Sequence, residues 1–218
     1  MSDVAAAAGP RLSTAGLAAL FAVGAVGGLI GDMTHVESGT TVYLTDPVPY
    51  IWRSQLWFPL LVGSGTAALG WIRVRLAASG RWPERAGDAS APTGSGTSPR
   101  GPAQVEAARD AVAMIAAVLA LYALTALVRG EPQPAAVVAC WSVAALIVAR
   151  WARGPAELIC AVLAAVVGVT TEALTAAAGM FEYADDVAQF AGVASWLPAL
   201  YLAYGVVAAR LGLVAAKL

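Results

Sequence analysis

Lysine is almost missing from this chain: of 13 basic residues only Lys217 is not arginine. Histidine occurs once, at His35, cysteine twice, and charged residues make up only 12% of the 218 positions. Each shortage excludes a class of function. The serine of Gly63-Ser64-Gly65-Thr66 lies in an apolar run, and no apolar run holds a histidine to activate it. Nor is there a Gly-rich phosphate loop, a Cys-x-x-Cys pair or a paired acidic motif for metal-dependent prenyl or phosphatidyl transfer. No catalytic residue and no cofactor are assigned, and the chain reads as non-enzymatic. Cys140 and Cys160 sit in apolar runs, where they behave as small hydrophobes and not as a disulfide. A net charge of −1 provides no basic face, which argues against nucleic acid as a partner. His35 stands with Asp32 and Glu37 in a short stretch, but three donors in a solvated loop make a thin metal site, so none is assigned.

What the chain has in abundance is apolar surface. Hydrophobic residues reach 59%, and the mean hydropathy is +0.71, more than a soluble globule of this size can hide. A bilayer core about 30 Å thick takes roughly 20 apolar residues of helix. Windows poor in charge fall at Leu12 to Gly31, Ser54 to Ile72, Ala111 to Val128 and Pro132 to Ala149. Two more run from about Ala156 to Gly179, interrupted by Glu172, and from near Ser195 to Arg210. The expectation is an all-α, polytopic membrane protein with six transmembrane helices over residues 12–218. Residues 1–11 form a cytoplasmic N-terminus without the pattern of a cleaved signal peptide. Residues 80–102, rich in Gly, Pro, Ser and Ala, read as a flexible cytoplasmic linker between the second and third helices. Eleven of the 13 basic residues fall on one side of such a topology, leaving Arg53 and Arg129 on the other. That asymmetry places both termini inside. Arginine in place of lysine, with abundant Ala, Gly and Pro, indicates a GC-rich bacterial genome, hence a bacterial plasma membrane.

Helix faces carry further information. In lipid, small residues mark close helix contacts, and Gly24, Gly27, Gly28 and Gly31 on the first helix form two overlapping small-xxx-small patterns. Similar stripes left unused inside a bundle favour self-association, as a dimer or trimer. On the fifth helix Gly168, Thr171, Glu172, Thr175 and Gly179 share one face. A carboxylate at that depth must point into the bundle and not at lipid. The second helix offers Pro59, Gly63, Thr66 and Gly70, the sixth Tyr201, Tyr204, Gly205 and Ala208. The second, fifth and sixth helices are therefore expected to enclose a mainly apolar cavity for the head of an amphiphilic lipid. A purely structural hydrogen-bond network is the plainer alternative, and a small transporter relaying protons through Glu172 is another. An echo is also visible: Gln55-Leu-Trp57-Phe-Pro59-Leu60 opens the second helix and Ala194-Ser-Trp196-Leu-Pro198-Ala199 the sixth. A duplicated two-helix unit and shared interfacial chemistry both account for it.

Taken in order, several of these motifs resemble the insulin-induced gene (Insig) family of six-helix membrane proteins. Ser195-Trp196-Leu197-Pro198 with the later Ala209-Arg210-Leu211 is similar to the family's last helix. Trp57-Phe58-Pro59 followed by Gly65-Thr66-Ala67-Ala68 is similar to its second. Arg150, Arg153 and Gly154 match a short loop, and Thr171-Glu172 falls where the family has Thr-Gln. The resemblance runs from about Leu17 to Leu213 outside the linker. It implies a sensor that binds oxysterol between its helices and, in animals, retains an escort protein and a sterol-synthesis reductase in the endoplasmic reticulum. Ala149 stands where the family has an Asp important for partner binding, which puts an animal-type partner in doubt. In a bacterium the implied occupant is a neutral, sterol-like lipid or diacylglycerol. Its expected contacts are Glu172, Thr171, Thr175, Gly168, Thr66, Phe58, Trp196, Tyr201 and Tyr204.

Overall fold

The computed structural model describes residues 10–45, 48–80, 82 and 101–217. Most of the expected N-terminal segment 1–11 and of the linker 80–102 lies outside them. Six helices follow in order among the described residues: α1 (Thr14–Ser38), α2 (Trp57–Ala78), α3 (Pro102–Leu127), α4 (Gln133–Trp151), α5 (Pro155–Ala177) and α6 (Leu197–Ala215). Short strands lie between α1 and α2, namely β1 (Thr41–Tyr43), β2 (Tyr50–Ile51) and β3 (Ser54–Gln55). Others lie between α5 and α6, namely β4 (Phe181–Tyr183), β5 (Ala188–Phe190) and β6 (Val193–Ala194). The protein is an all-α, polytopic membrane protein of six helices. Five of them are long and apolar enough to cross a bilayer. The exception, α2, matches them in length with 22 residues but carries Arg73 and Arg75. It belongs to the bundle because it packs against α1, α5 and α6.

The helix limits correct the sequence reading in three places. Helix α1 continues past Gly31 to Ser38, so Asp32 and His35 lie on a helix and are buried, not in a solvated loop. Helix α6 runs past Arg210 to Ala215. Gly179 lies beyond the end of α5, at φ +71°, and so leaves the face that Gly168 and Glu172 share. For α1 and α6 a charge-based window stops at a charge, whereas a helix continues wherever that charge finds a partner.

Helix α6 is the centre of the bundle. Two-thirds of its apolar window is buried (67%), against 22–28% for the other spans, whose outer faces are left for lipid. Its contact with α2 is backbone on backbone: a Cβ on Gly212 would lie 2.4 Å from the Gly70 Cα. Gly24, Gly28 and Gly31 are likewise contact points, against Thr66, Val62 and Tyr122, whereas a Cβ on Gly27 would meet nothing within 4 Å. Gly27 takes no part in this packing.

Two halves of the bundle repeat one layout, helix, strand, hairpin, helix, first as α1 to α2 and again as α5 to α6. The contacts repeat as well as the order. Gly28 receives Val62 as Gly168 receives Tyr201, and both pairs occupy matching positions in the two halves. The hairpins both turn on a non-glycine residue with positive φ, Trp52 at 55° and Ala191 at 50°. Strands β1 and β4 pair antiparallel with Val42 opposite Glu182 at the centre, as equivalent strands do about a two-fold axis. The Trp-x-Pro echo is thus part of a duplicated unit. Because α1 and α5 run in the same direction, the axis lies along the membrane normal, the arrangement of parallel repeats.

Candidate functional site

Near the axis, at the end of the bundle where the strands lie, is a polar centre. Asp32 on α1 accepts a hydrogen bond at Oδ2 from the Tyr43 hydroxyl at 2.6 Å. Glu172 on α5 accepts one at Oε2 from Tyr183 and one at Oε1 from Tyr201, the latter at 2.6 Å. Asp32 and Tyr43 are eleven residues apart, and so are Glu172 and Tyr183. The two acids are equivalent positions of the repeat, each held by the tyrosine of its own following strand. Both are buried, at 5% and 4% exposure. Burial, and then the Asp32 carboxylate, push the Tyr43 phenol far above its ordinary pKa. Burial and then Glu172 do the same for Tyr183. Both phenols therefore keep their protons and donate. His35 shares this region, with Nε2 2.7 Å from Thr125 Oγ1 and its ring against Tyr122 and Trp196. Glu37 is exposed and pairs with Arg53 at 2.9 Å, so Asp32, His35 and Glu37 do not converge. Among the described residues no cluster of three or more His, Cys, Asp or Glu forms a metal site.

Behind Tyr201 lies the larger space, a cavity of about 220 Å³ walled by α2, α5 and α6. Leu61, Val62, Gly65 and Ala68 line it from α2, Leu163, Val167, Gly168 and Thr171 from α5, and Tyr201 and Tyr204 from α6. Its walls are apolar apart from Thr171 and the tyrosines. Gly168 is the point of closest approach, since a Cβ there would lie 2.3 Å from the Tyr201 ring. The Tyr204 hydroxyl is 2.9 Å from Thr66 Oγ1 and donates to the Val62 carbonyl at 3.0 Å.

The expected contacts thus divide. Gly168, Thr171, Tyr201 and Tyr204 line the cavity. Thr66 stands behind Tyr204, and Glu172 behind Tyr201, each connected through a hydroxyl. Thr175 bonds back to the Thr171 and Glu172 carbonyls of its own helix. Phe58 faces the polar centre, and Trp196 is packed in the core against His35 and Tyr183. Helical spacing could group Glu172 with Thr171, but not show that a tyrosine of α6 would come between the carboxylate and the cavity.

Sequence reasoning missed a second buried polar group at the opposite end. Arg73 Nε on α2 lies 2.8 Å from Glu157 Oε1 on α5, and Arg210 Nη1 on α6 lies 3.9 Å from the same oxygen. The three helices around the cavity contribute one charge each, with side-chain exposures of 3%, 1% and 12%. Arg73 and Arg210 looked like loop-flanking charges. The available signal was Glu157, an acid inside a span with no basic partner on its own helix face.

These features define a class, a six-helix membrane protein with a lipid-facing cavity beside a buried polar centre. The comparisons specify it further. No protein-family model matches the chain. The INSIG protein homolog of Mycolicibacterium vanbaalenii is 39% identical over 203 residues, covering 93% of this chain and 87% of that one. The crystal structure of a mycobacterial Insig homolog from Mycobacterium vanbaalenii aligns with a TM-score of 0.80 at 38% identity, over 94% of this chain and 96% of the other. A cross-linked trimer of that homolog aligns at 0.77 and 36% identity, over 95% and 97%. The chain belongs to the Insig family.

Proposed function

We propose that the protein is a non-enzymatic lipid-binding regulator of Insig type, which holds a neutral lipid in the cavity between α2, α5 and α6. The observation that carries this reading is the cavity itself, about 220 Å³ with apolar walls and few polar groups. It is below the range of roughly 300–1,000 Å³ usual for small-molecule sites. It therefore suits the head and first carbons of an amphiphile whose chains continue into the bilayer. Diacylglycerol or a sterol-like alcohol fits: one small hydroxyl for Thr171 or Tyr204, and no charge. No further cofactor is invoked. The transporter alternative is weaker, because the Tyr201 side chain stands between Glu172 and the cavity.

The assembly is a homo-oligomer, a trimer by analogy with the cross-linked trimer of the mycobacterial homolog. The membrane is a bacterial plasma membrane with both termini in the cytoplasm, a reading supported by the 11 to 2 distribution of basic residues. Ala149 disfavours an animal-type Insig partner.

Lipid extraction and mass spectrometry of the purified protein test the reading. The expected result is a neutral lipid near one per chain, lost in Ala68→Phe, which fills the cavity without touching the polar centre. Absence of stoichiometric lipid from the wild type, or its full retention in Ala68→Phe, would overturn it.

A further inference from the structure

The polar centre encloses a void of about 10 Å³, room for one water-sized species. Asp32 and Glu172 line it from equivalent positions of the two repeats, together with Thr41, Tyr43 and Tyr183. Thr41 is only 6% exposed, and its Oγ1 has no hydrogen-bond partner among the described residues. A buried hydroxyl left without a partner is uncommon in a folded protein and calls for an occupant.

Charge leads to the same place. Two carboxylates inside an apolar bundle stay ionised only with positive charge nearby. The groups that reach them are phenols and, at Asp32, the buried Ser54 hydroxyl, which donate hydrogen bonds but bring no charge. His35 lines the void, but its Nε2 is engaged by Thr125. Arg53 is paired with Glu37 on the surface and Arg129 donates to the Ser38 carbonyl. Among the described residues no arginine or lysine lines the void. The remaining donors are all oxygen, the preference of hard cations. A calcium ion takes six to eight oxygens, more than a space for one sphere between two acids provides.

We propose that this void binds one small monovalent cation, sodium in preference to the larger potassium, between the Asp32 and Glu172 carboxylates with Thr41 as a further ligand. The ion joins the two repeats at their shared axis. It is independent of the lipid reading, because the void and the cavity lie on opposite sides of Tyr201.

Thermal unfolding of the full chain in detergent tests the site, with sodium chloride exchanged for choline or potassium chloride at constant ionic strength. At pH 8 the melting temperature is expected to rise by about 3–5 °C in sodium at ten times its dissociation constant, and not in choline. The rise should vanish in Asp32→Asn and shrink in Thr41→Val. At pH 5 it should shrink in the wild type, because protons compete for the same two acids. The titratable groups facing them are His35 on α1, Tyr43 on β1, Tyr122 on α3, Tyr183 on β4 and Tyr201 on α6. If Asp32→Asn does not fold, Thr41→Val and calorimetric titration of the wild type with sodium chloride carry the test. Equal melting in sodium and choline at pH 8 would overturn the proposal, whether pH then shifts it, as for acids that hold protons, or not, as for a bound water. A sodium response that survives in Asp32→Asn would also overturn it.

Discussion

Tyr201 separates two chemistries with one side chain: its ring walls the apolar cavity and its hydroxyl serves the buried Glu172. Tyr201→Phe keeps the ring and removes the donor, so it should cost about 1.5–3 kcal/mol, the range for a hydrogen bond to a charged group. Tyr204→Phe loses only neutral bonds to Thr66 and Val62 and should cost about 1 kcal/mol. Thermal or denaturant unfolding in one detergent compares the two, and equal losses would mean that Glu172 is neutral. Arg73 gives a larger contrast. Arg73→Met takes from Glu157, at 1% exposure, its partner at 2.8 Å, and breaking a buried pair costs about 3–5 kcal/mol. Combining it with Glu157→Leu should recover part of the loss, because the orphaned charge disappears too.

At the scale of the elements, the glycines distribute the packing. Helices α2 and α6 touch through Gly70 and Gly212, with no room for a side chain. Gly212→Leu should cost more than the 1–3 kcal/mol of ordinary overpacking, because the contact would have to open along two backbones. Gly27→Leu, at a position with nothing within 4 Å, should unfold at nearly the wild-type temperature. Sequence spacing treated Gly24, Gly27, Gly28 and Gly31 alike, since two overlapping patterns carry no information on which way the helix faces. The neighbours chose Gly24, Gly28 and Gly31.

At the scale of the molecule, the duplicated halves place α6 at the centre and leave α5 on the rim, with Val162, Val166 and Val167 exposed. An apolar rim of this kind is at home in lipid or against another copy. Native mass spectrometry from mild detergent is expected to give a trimer. A monomer at every concentration would remove oligomerisation from the functional reading without disturbing the fold. Loss of the Arg73 and Glu157 pair should affect lipid occupancy as well as stability, because the three charges fasten the helices around the cavity.

The number of spans and the polytopic, all-helical class could be read directly from the chain, because a bilayer core imposes one length scale and excludes most charges from it. The inward direction of Glu172 followed for the same reason, and so did the choice of α2, α5 and α6 as cavity walls, from their small and weakly polar stripes. Tertiary structure alone decided the rest. Asp32, His35 and Arg73 became interior groups, although the charge-poor windows end before each of them, and Glu157 found its partner inside the bundle. Whether a charge terminates a helix or sits inside it depends on a partner many residues away, as with Arg73 and Glu157 or Asp32 and Tyr43. Such pairings arise only when the elements pack against one another.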